Sequence, residues 1–160
     1  MGELYSRSPT LLDAYYKMPE KTKDSFVGEW FSAGDMGYED EEGYYYLVDR
    51  KDNLIITGGE KVYPSAVENV LGSHPKIYDV AAIGLPDDKW GEAVTAVVIL
   101  KGGKQATEQE IVEYCRTRLG AYKRPKKIIF ISKEEMPRTP TGKILHRQLR
   151  LKFGSDGTTC

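Results

Sequence analysis

Two uninterrupted apolar runs limit most strongly what this chain can fold into: residues 80–85 (Val-Ala-Ala-Ile-Gly-Leu) and 94–100 (Val-Thr-Ala-Val-Val-Ile-Leu). Runs this short, rich in β-branched residues and bounded by turn formers, read as buried strands. The loop at residues 86–91 joins them. A third strand is expected over residues 127–131. Between these strands the apolar period changes to that of a helix. Pro64 suits a first helical turn, and Ala66, Val67, Val70 and Leu71 then recur at helical spacing until Gly72. Thr107 with Glu110 forms a capping box ahead of a stripe of Ile111, Val112, Tyr114, Cys115 and Leu119, closed by Gly120. A last helix is predicted from Gly142 to about Lys152. Strands and helices mix without a regular βαβ repeat, so the predicted fold class is α+β, a small domain with a short antiparallel or mixed sheet flanked by helices.

Residues 1–49 read differently, as the β-rich end of another unit. Trp30-Phe31 and residues 44–48 are strand candidates, and the acidic tip at 39–43 predicts a hairpin between them. Residues 49–52 carry charge without apolar period and suit a linker. Residues 54–56 form a short apolar strand that breaks at Gly58-Gly59. The expected organisation is a remnant at 1–49, a hinge at 50–52, a domain at 53–153, and a disordered tail at 154–160.

Composition narrows the function classes. Hydrophobic residues make up 40% of the 160 residues, enough for one modest core. No run approaches the roughly 18 apolar residues of a transmembrane helix, and no secretory leader is visible. Cys115 and Cys160, the only cysteines, suggest free thiols in a reducing cytoplasm. His74 and His146 lack metal-ligand spacing, so no protein-bound metal site is expected. Net charge is −1 but unevenly spread: residues 1–50 hold 5 Lys/Arg against 11 Asp/Glu, and residues 121–160 hold 10 against 3. Few aromatics interleave with the basic end for base stacking, so a polyphosphate ligand is expected there rather than nucleic acid.

The basic end contains Pro137-Arg-Thr-Pro-Thr-Gly-Lys-Ile-Leu-His-Arg147. Gly142 permits a tight turn, and Lys143, at the predicted first turn of the helix, would stand where a helix end favours an anion. Read with Trp30-Phe-Ser-Ala-Gly-Asp35, Asp49-Arg-Lys-Asp52, Thr57-Gly-Gly-Glu-Lys-Val-Tyr-Pro-Ser-Ala-Val-Glu68 and the opening Gly2-Glu-Leu-Tyr5 through Thr22 segment, it resembles, in order and spacing, the C-terminal motifs of the adenylate-forming enzymes. That superfamily includes acyl-CoA and aryl-CoA synthetases, adenylation domains of nonribosomal peptide synthesis, and beetle luciferase. The resemblance covers residues 2 to about 150. Family members are several times longer, so the chain reads as a C-terminal fragment of an acid–thiol ligase, inactive by itself without the large N-terminal domain.

The resemblance implies ATP, with its Mg2+, coenzyme A and a carboxylic acid as ligands. A carboxylate attacks the α-phosphate of ATP, and a thiol then attacks the acyl-adenylate. The C-terminal domain serves both halves by rotating. Matching motif to motif implies that Lys143 is the adenylation lysine; Arg147, one turn later on the same predicted helical face, is expected to support its loop. Asp35 and Arg50 contact the nucleotide, Asp52 is the hinge, and Gly58, Gly59 and Glu60 line the pantetheine tunnel. Trp90, Arg124 and Lys126 hold coenzyme A. On residues alone, Asp35 is equally a turn-capping acid, and Arg50 a surface ion-pair partner of Asp49 or Glu39. Two other functions fit the motifs: an adenylation domain that loads a carrier-protein thiol, and a non-catalytic interaction module with a basic face.

Overall fold

The structure is a computed structural model that describes residues 1–154. It divides into two compact units, Met1–Asp52 and a larger one that starts at Asn53.

The first unit holds β1 (Gly2–Glu3), α1 (Pro19–Ser25), β2 (Phe26–Val27), β3 (Trp30–Phe31), β4 (Asp35–Glu39) and β5 (Tyr45–Arg50). A hairpin exists, but its first strand is β4, not Trp30-Phe31. β4 pairs antiparallel with β5, bringing Tyr38 opposite Tyr46 with rings stacked at 5.0 Å, and β1 adds on its other side. Trp30-Phe31 makes a two-residue ribbon with β2 instead. Asp40 ties the tip: its Oδ1 accepts from Glu42 N at 3.0 Å and Tyr44 N at 2.9 Å. The Tyr44 amide is the main cause that holds the Asp40 carboxyl below its ordinary range. Residues 49–52, expected as a linker, end at the boundary between the two units and carry regular structure. Asp49 and Arg50 finish β5, and Lys51–Asn53 forms one 3₁₀ turn.

In the second unit β6 (Ile55–Thr57) and β7 (Glu60–Val62) form a tight hairpin. It is followed by α2 (Pro64–Gly72), β8 (Ile77–Asp87), β9 (Gly91–Leu100), α3 (Glu108–Arg116), β10 (Lys127–Phe130) and α4 (His146–Gly154). β9 is the spine: β8 pairs with it antiparallel along its length, β10 parallel, and β6 joins at Thr57 opposite Gly91. The sheet is therefore mixed and the class α+β.

The apolar runs are continuous because both faces of β8 and β9 are covered. Val80, Ala82, Val94, Ala96 and Val98 pack with Val67 and Leu71 of α2 and Ile111 and Cys115 of α3. The alternate residues Ala81, Ile83, Leu85, Val97 and Ile99 pack with Met136 and Leu149, the buried residue of α4. Full burial of one such Leu or Ile stabilises by about 1.5–3 kcal/mol. Pro64 stands in the first turn of α2, and Thr107 Oγ1 accepts from Glu110 N at 3.1 Å to cap α3.

Two boundaries at the basic end differ from expectation. α4 begins at His146 rather than Gly142, because Arg138 and Ile144 form an antiparallel bridge that consumes the preceding residues. Gly154 is the last residue of α4, not the first of a tail; the rest of the expected tail, with Cys160, lies outside the described residues. Among the described residues no helix is long and apolar enough to cross a membrane.

Candidate functional site

Three groups of sequence-predicted residues are placed by these elements. In the first unit, β4–β5 register sets Asp35 opposite Arg50, with Arg50 Nε 3.5 Å from Asp35 Oδ1. Arg50 Nη2 also donates to the Ala33 carbonyl at 2.6 Å, and its backbone N to Asp49 Oδ1 at 2.7 Å; its side-chain ion pair is with Asp35, the acid of the expected nucleotide pair. Behind them Ser32 Oγ donates to Glu3 Oε1 at 2.8 Å, and Lys51 Nζ lies 2.8 Å from Glu3 Oε2. Lys51 first, then Ser32, holds the Glu3 carboxyl below its ordinary range. Gly34, Arg50 and Asp52 line a concavity of 630 Å³ with Tyr15 and Lys21.

The second group lies on the β6–β7 hairpin. Gly58 and Gly59 have φ of +59° and +83°, the left-handed pair that a two-residue turn requires. Gly58 N donates to the Trp90 carbonyl at 2.8 Å. A β-carbon on Gly58 would meet Trp90 Cε3 at 2.8 Å, whereas one on Gly59 would meet nothing within 4 Å. The indole thus rests against the glycine. Lys126 Nζ lies 4.3 Å from the Trp90 ring centroid, and Lys89 Nζ 4.9 Å. Asp87 Oδ1 accepts from both Lys89 N and Trp90 N at 3.0 Å, fixing the loop. Glu60, exposed, pairs with Thr57 across the hairpin. Arg124 is not shown at this cluster: its Nε donates to the Leu119 carbonyl at 3.0 Å, just beyond α3.

Two further residues bear on this group, and of these Glu92 carries no sequence signal while Thr57 opens the Gly-Gly motif. Glu92 Oε2 accepts from Ile56 N at 2.6 Å and ties β6 to β9. Thr57 is buried, and its hydroxyl finds no partner among the described residues.

Lys143, the third group, is not in the first turn of a helix. It follows a β-turn in which Gly142 N donates to the Thr139 carbonyl at 2.9 Å, with Gly142 at φ +87°. Thr139 N donates to the Lys143 carbonyl at 2.8 Å, and Lys143 N to Thr139 Oγ1 at 3.1 Å. The backbone of the lysine is thereby fixed while its side chain stays exposed. Arg147, in α4, therefore shares no helical face with it. The described residues contain no cluster of three or more His, Cys, Asp or Glu suited to a metal.

Together these features define a mixed-sheet α+β domain with two chemically distinct stations: a Gly-Gly hairpin bearing an indole and an ammonium, and a rigid turn presenting a lysine. The AMP-binding enzyme C-terminal domain model matches residues 66–143. The chain is 48% identical over 154 residues to the long-chain-fatty-acid–CoA ligase FadD13 of Mycobacterium tuberculosis, covering 96% of this chain and 30% of that protein. It superposes with a TM-score of 0.83 and 37% identity on the o-succinylbenzoate CoA synthetase MenE of Bacillus subtilis, solved with its acyl-adenylate OSB-AMP, covering 93% of this chain and 30% of the other. ATP-bound MatB from Rhodopseudomonas palustris gives a TM-score of 0.86 at 35% identity, over 95% of this chain and 30% of that one. The chain belongs to the adenylate-forming enzymes, and corresponds to the C-terminal portion of their acyl-CoA and aryl-CoA synthetases. It spans about 30% of the length of the relatives it matches.

Proposed function

We propose that this chain is the catalytic C-terminal part of an AMP-forming acid–thiol ligase that makes acyl-coenzyme A thioesters from a carboxylic acid, ATP and coenzyme A in the cytoplasm. The observation that carries the reading is Lys143, exposed on a turn whose backbone is held at both sides. In the first half-reaction an acid oxygen bonds to the α-phosphorus of Mg2+-bound ATP and pyrophosphate leaves. Lys143 supplies a positioned ammonium to the negative charge that builds on the oxygens. Asp35 accepts from the ribose hydroxyls, and Arg50, held beside it, reads the same nucleotide. In the second half the sulfur of coenzyme A attacks the acyl carbonyl, its proton is lost, and AMP leaves.

The Gly58-Gly59-Glu60 turn lines the path of the pantetheine arm in that step. Trp90 and Lys126, already in contact, take the adenine and a phosphate of coenzyme A, with Arg124 as a second phosphate reader. That pair favours free coenzyme A over a carrier-protein arm, which presents no adenine. Asp52, in the 3₁₀ turn where the two units meet in sequence, is the hinge that exchanges the two stations.

The test uses the intact ligase that contains this chain. Lys143→Ala is expected to slow acid-dependent pyrophosphate–ATP exchange by about two to three decades. Thioester formation from supplied acyl-adenylate is expected to stay within about twofold, since a loss confined to the first half is what an adenylation role requires. Equal losses in the two halves would make Lys143 a structural residue.

A further inference from the structure

The turn that carries Lys143 is fastened at two points to one strand. At its start, Arg138 Nη1 donates to the Gly142 carbonyl at 2.9 Å, while Nη2 forms an ion pair with Asp79 Oδ2. Asp79 is itself fixed, because its Oδ1 accepts from Val80 N at 2.8 Å. At the far end, His146 Nε2 donates to Glu68 Oε1 at 2.7 Å, and that same oxygen accepts from Ala82 N at 2.9 Å. Asp79 and Ala82 both belong to β8. Between the anchors the Arg138–Ile144 bridge closes the loop, and Leu145 N donates to the Pro137 carbonyl at 2.9 Å.

These polar links are separate from what packs α4. The helix is seated by fully buried Leu149, with Phe153 packed against the same cluster. Leu149 lies beyond His146, and Met136 and Ile144, packed on the same cluster, flank residues 138–143 without including them. An exposed lysine on a loop held only by its own turn would spread its ammonium over several ångströms, and misplacement by about 1 Å costs on the order of 100-fold in a positioned reaction. We infer that Arg138 and His146 are positioning residues that hold the Lys143 turn in place on β8, Arg138 through Asp79 and His146 through Glu68. This rests on the adenylation role proposed for Lys143. Neither residue touches substrate; both act through the lysine.

The experiment is run on the intact ligase with the two half-reactions measured separately. Arg138→Gln, which cannot pair ionically with Asp79, is expected to lower kcat for adenylate formation about tenfold or more. It is expected to leave the KM for ATP and the thioester half within about twofold. Arg138→Lys, which keeps the charge, should recover part of the loss. His146→Leu should act in the same direction, whereas His146→Gln, which keeps a donor for Glu68, should stay near the parent. Added to Lys143→Ala, Arg138→Gln should cost nothing further, because residues acting through one group are not additive.

The inference is overturned by undiminished adenylation in Arg138→Gln and His146→Leu, by equal loss in both halves, or by a further loss on top of Lys143→Ala. Failure of the underlying reading looks different: Lys143→Ala would itself leave the adenylation half intact. If Lys143→Ala is crippled while Arg138→Gln matches the parent, only the positioning role falls.

Discussion

Gly58 and Gly59 stand side by side in the sequence but have different reasons to lack a β-carbon. Both need a left-handed backbone, which costs an ordinary residue about 1–2 kcal/mol. Only Gly58 also has its missing side chain replaced, by the face or edge of Trp90 at 2.8 Å. The family resemblance gives both one role, lining the pantetheine tunnel, because nothing in a Gly-Gly pair says which neighbour fills the space. The contact makes the hairpin and the coenzyme A station one unit. Gly58→Ala is therefore expected to dislodge Trp90 and raise the KM for coenzyme A about tenfold, within the ~1–3 kcal/mol range of a base stack. Gly59→Ala carries similar backbone strain but leaves the indole seated, so its KM for coenzyme A should change far less. Steady-state kinetics of the two variants in the intact ligase would refute the coupling if their coenzyme A dependence were indistinguishable. Asp35 and Arg50 teach a related lesson. Their residue types are readable, but a register shift between Met36 and Gly37 decides which acid faces the arginine, and register is set by pairing.

At the scale of elements, what the sequence predicts well is whatever local pattern alone decides. β8 and β9 follow from their apolar runs, α2 from Pro64 and its spacing, α3 from the Thr107 cap. Elements that depend on a partner are missed. β4 contains Asp35, Gly37 and Glu39, poor strand formers, and is a strand because β1 and β5 flank it. β7 follows a Gly-Gly pair that ends the apolar strand and is equally a two-residue hairpin turn, which needs β7 opposite β6 to show itself. The start of α4 is displaced because Ile144, Leu145 and Leu149 continue a helical pattern through residues that the bridge to Arg138 holds extended.

Packing between α2 and α3 yields a pH dependence. Just after α2, His74 is buried, edge-on to Tyr114 with ring centroids 4.6 Å apart, and its Nδ1 accepts from Lys76 N at 3.2 Å. Burial first, then Lys76, Arg118 and Lys101, push its pKa below the ordinary value, outweighing the opposing Glu110 carboxylate. The unfolded chain then binds the proton more readily than the folded one. Stability is fully present above the unfolded pKa of about 6.5 and is lost as pH falls from there through the lowered folded value. Thermal unfolding of the chain should show Tm dropping as pH falls below about 6.5. His74→Gln should flatten that slope, and an unchanged slope would assign it elsewhere. Glu110, whose carboxyl Lys76 holds below its ordinary range, contributes in a more acidic window.

At the scale of the molecule, the division after Asp52 gives the hinge proposal its sharpest test. Exchange between two stations needs at least one residue whose backbone torsions can change widely. Asp52 lies in a single 3₁₀ turn, Lys51–Asn53, whose φ values in general fall at about −50 to −70°. Proline fixes φ near about −65°, within that range, and restricts the preceding residue as well. Asp52→Pro is thus expected to hold the joint near one arrangement while leaving every proposed ligand contact, from Asp35 to Lys143, chemically unaltered. Single-turnover measurements on the intact ligase should then find one half-reaction within a few-fold of the parent and the other slowed by about two decades, as when a conformational step becomes limiting. If the slowed half is thioester formation, acyl-adenylate should accumulate on the enzyme to near stoichiometry. If it is adenylation, supplied acyl-adenylate should still be converted at the parent rate. An ordinary linker acid would give neither pattern, so parallel or negligible losses in the two halves would remove Asp52 from the mechanism.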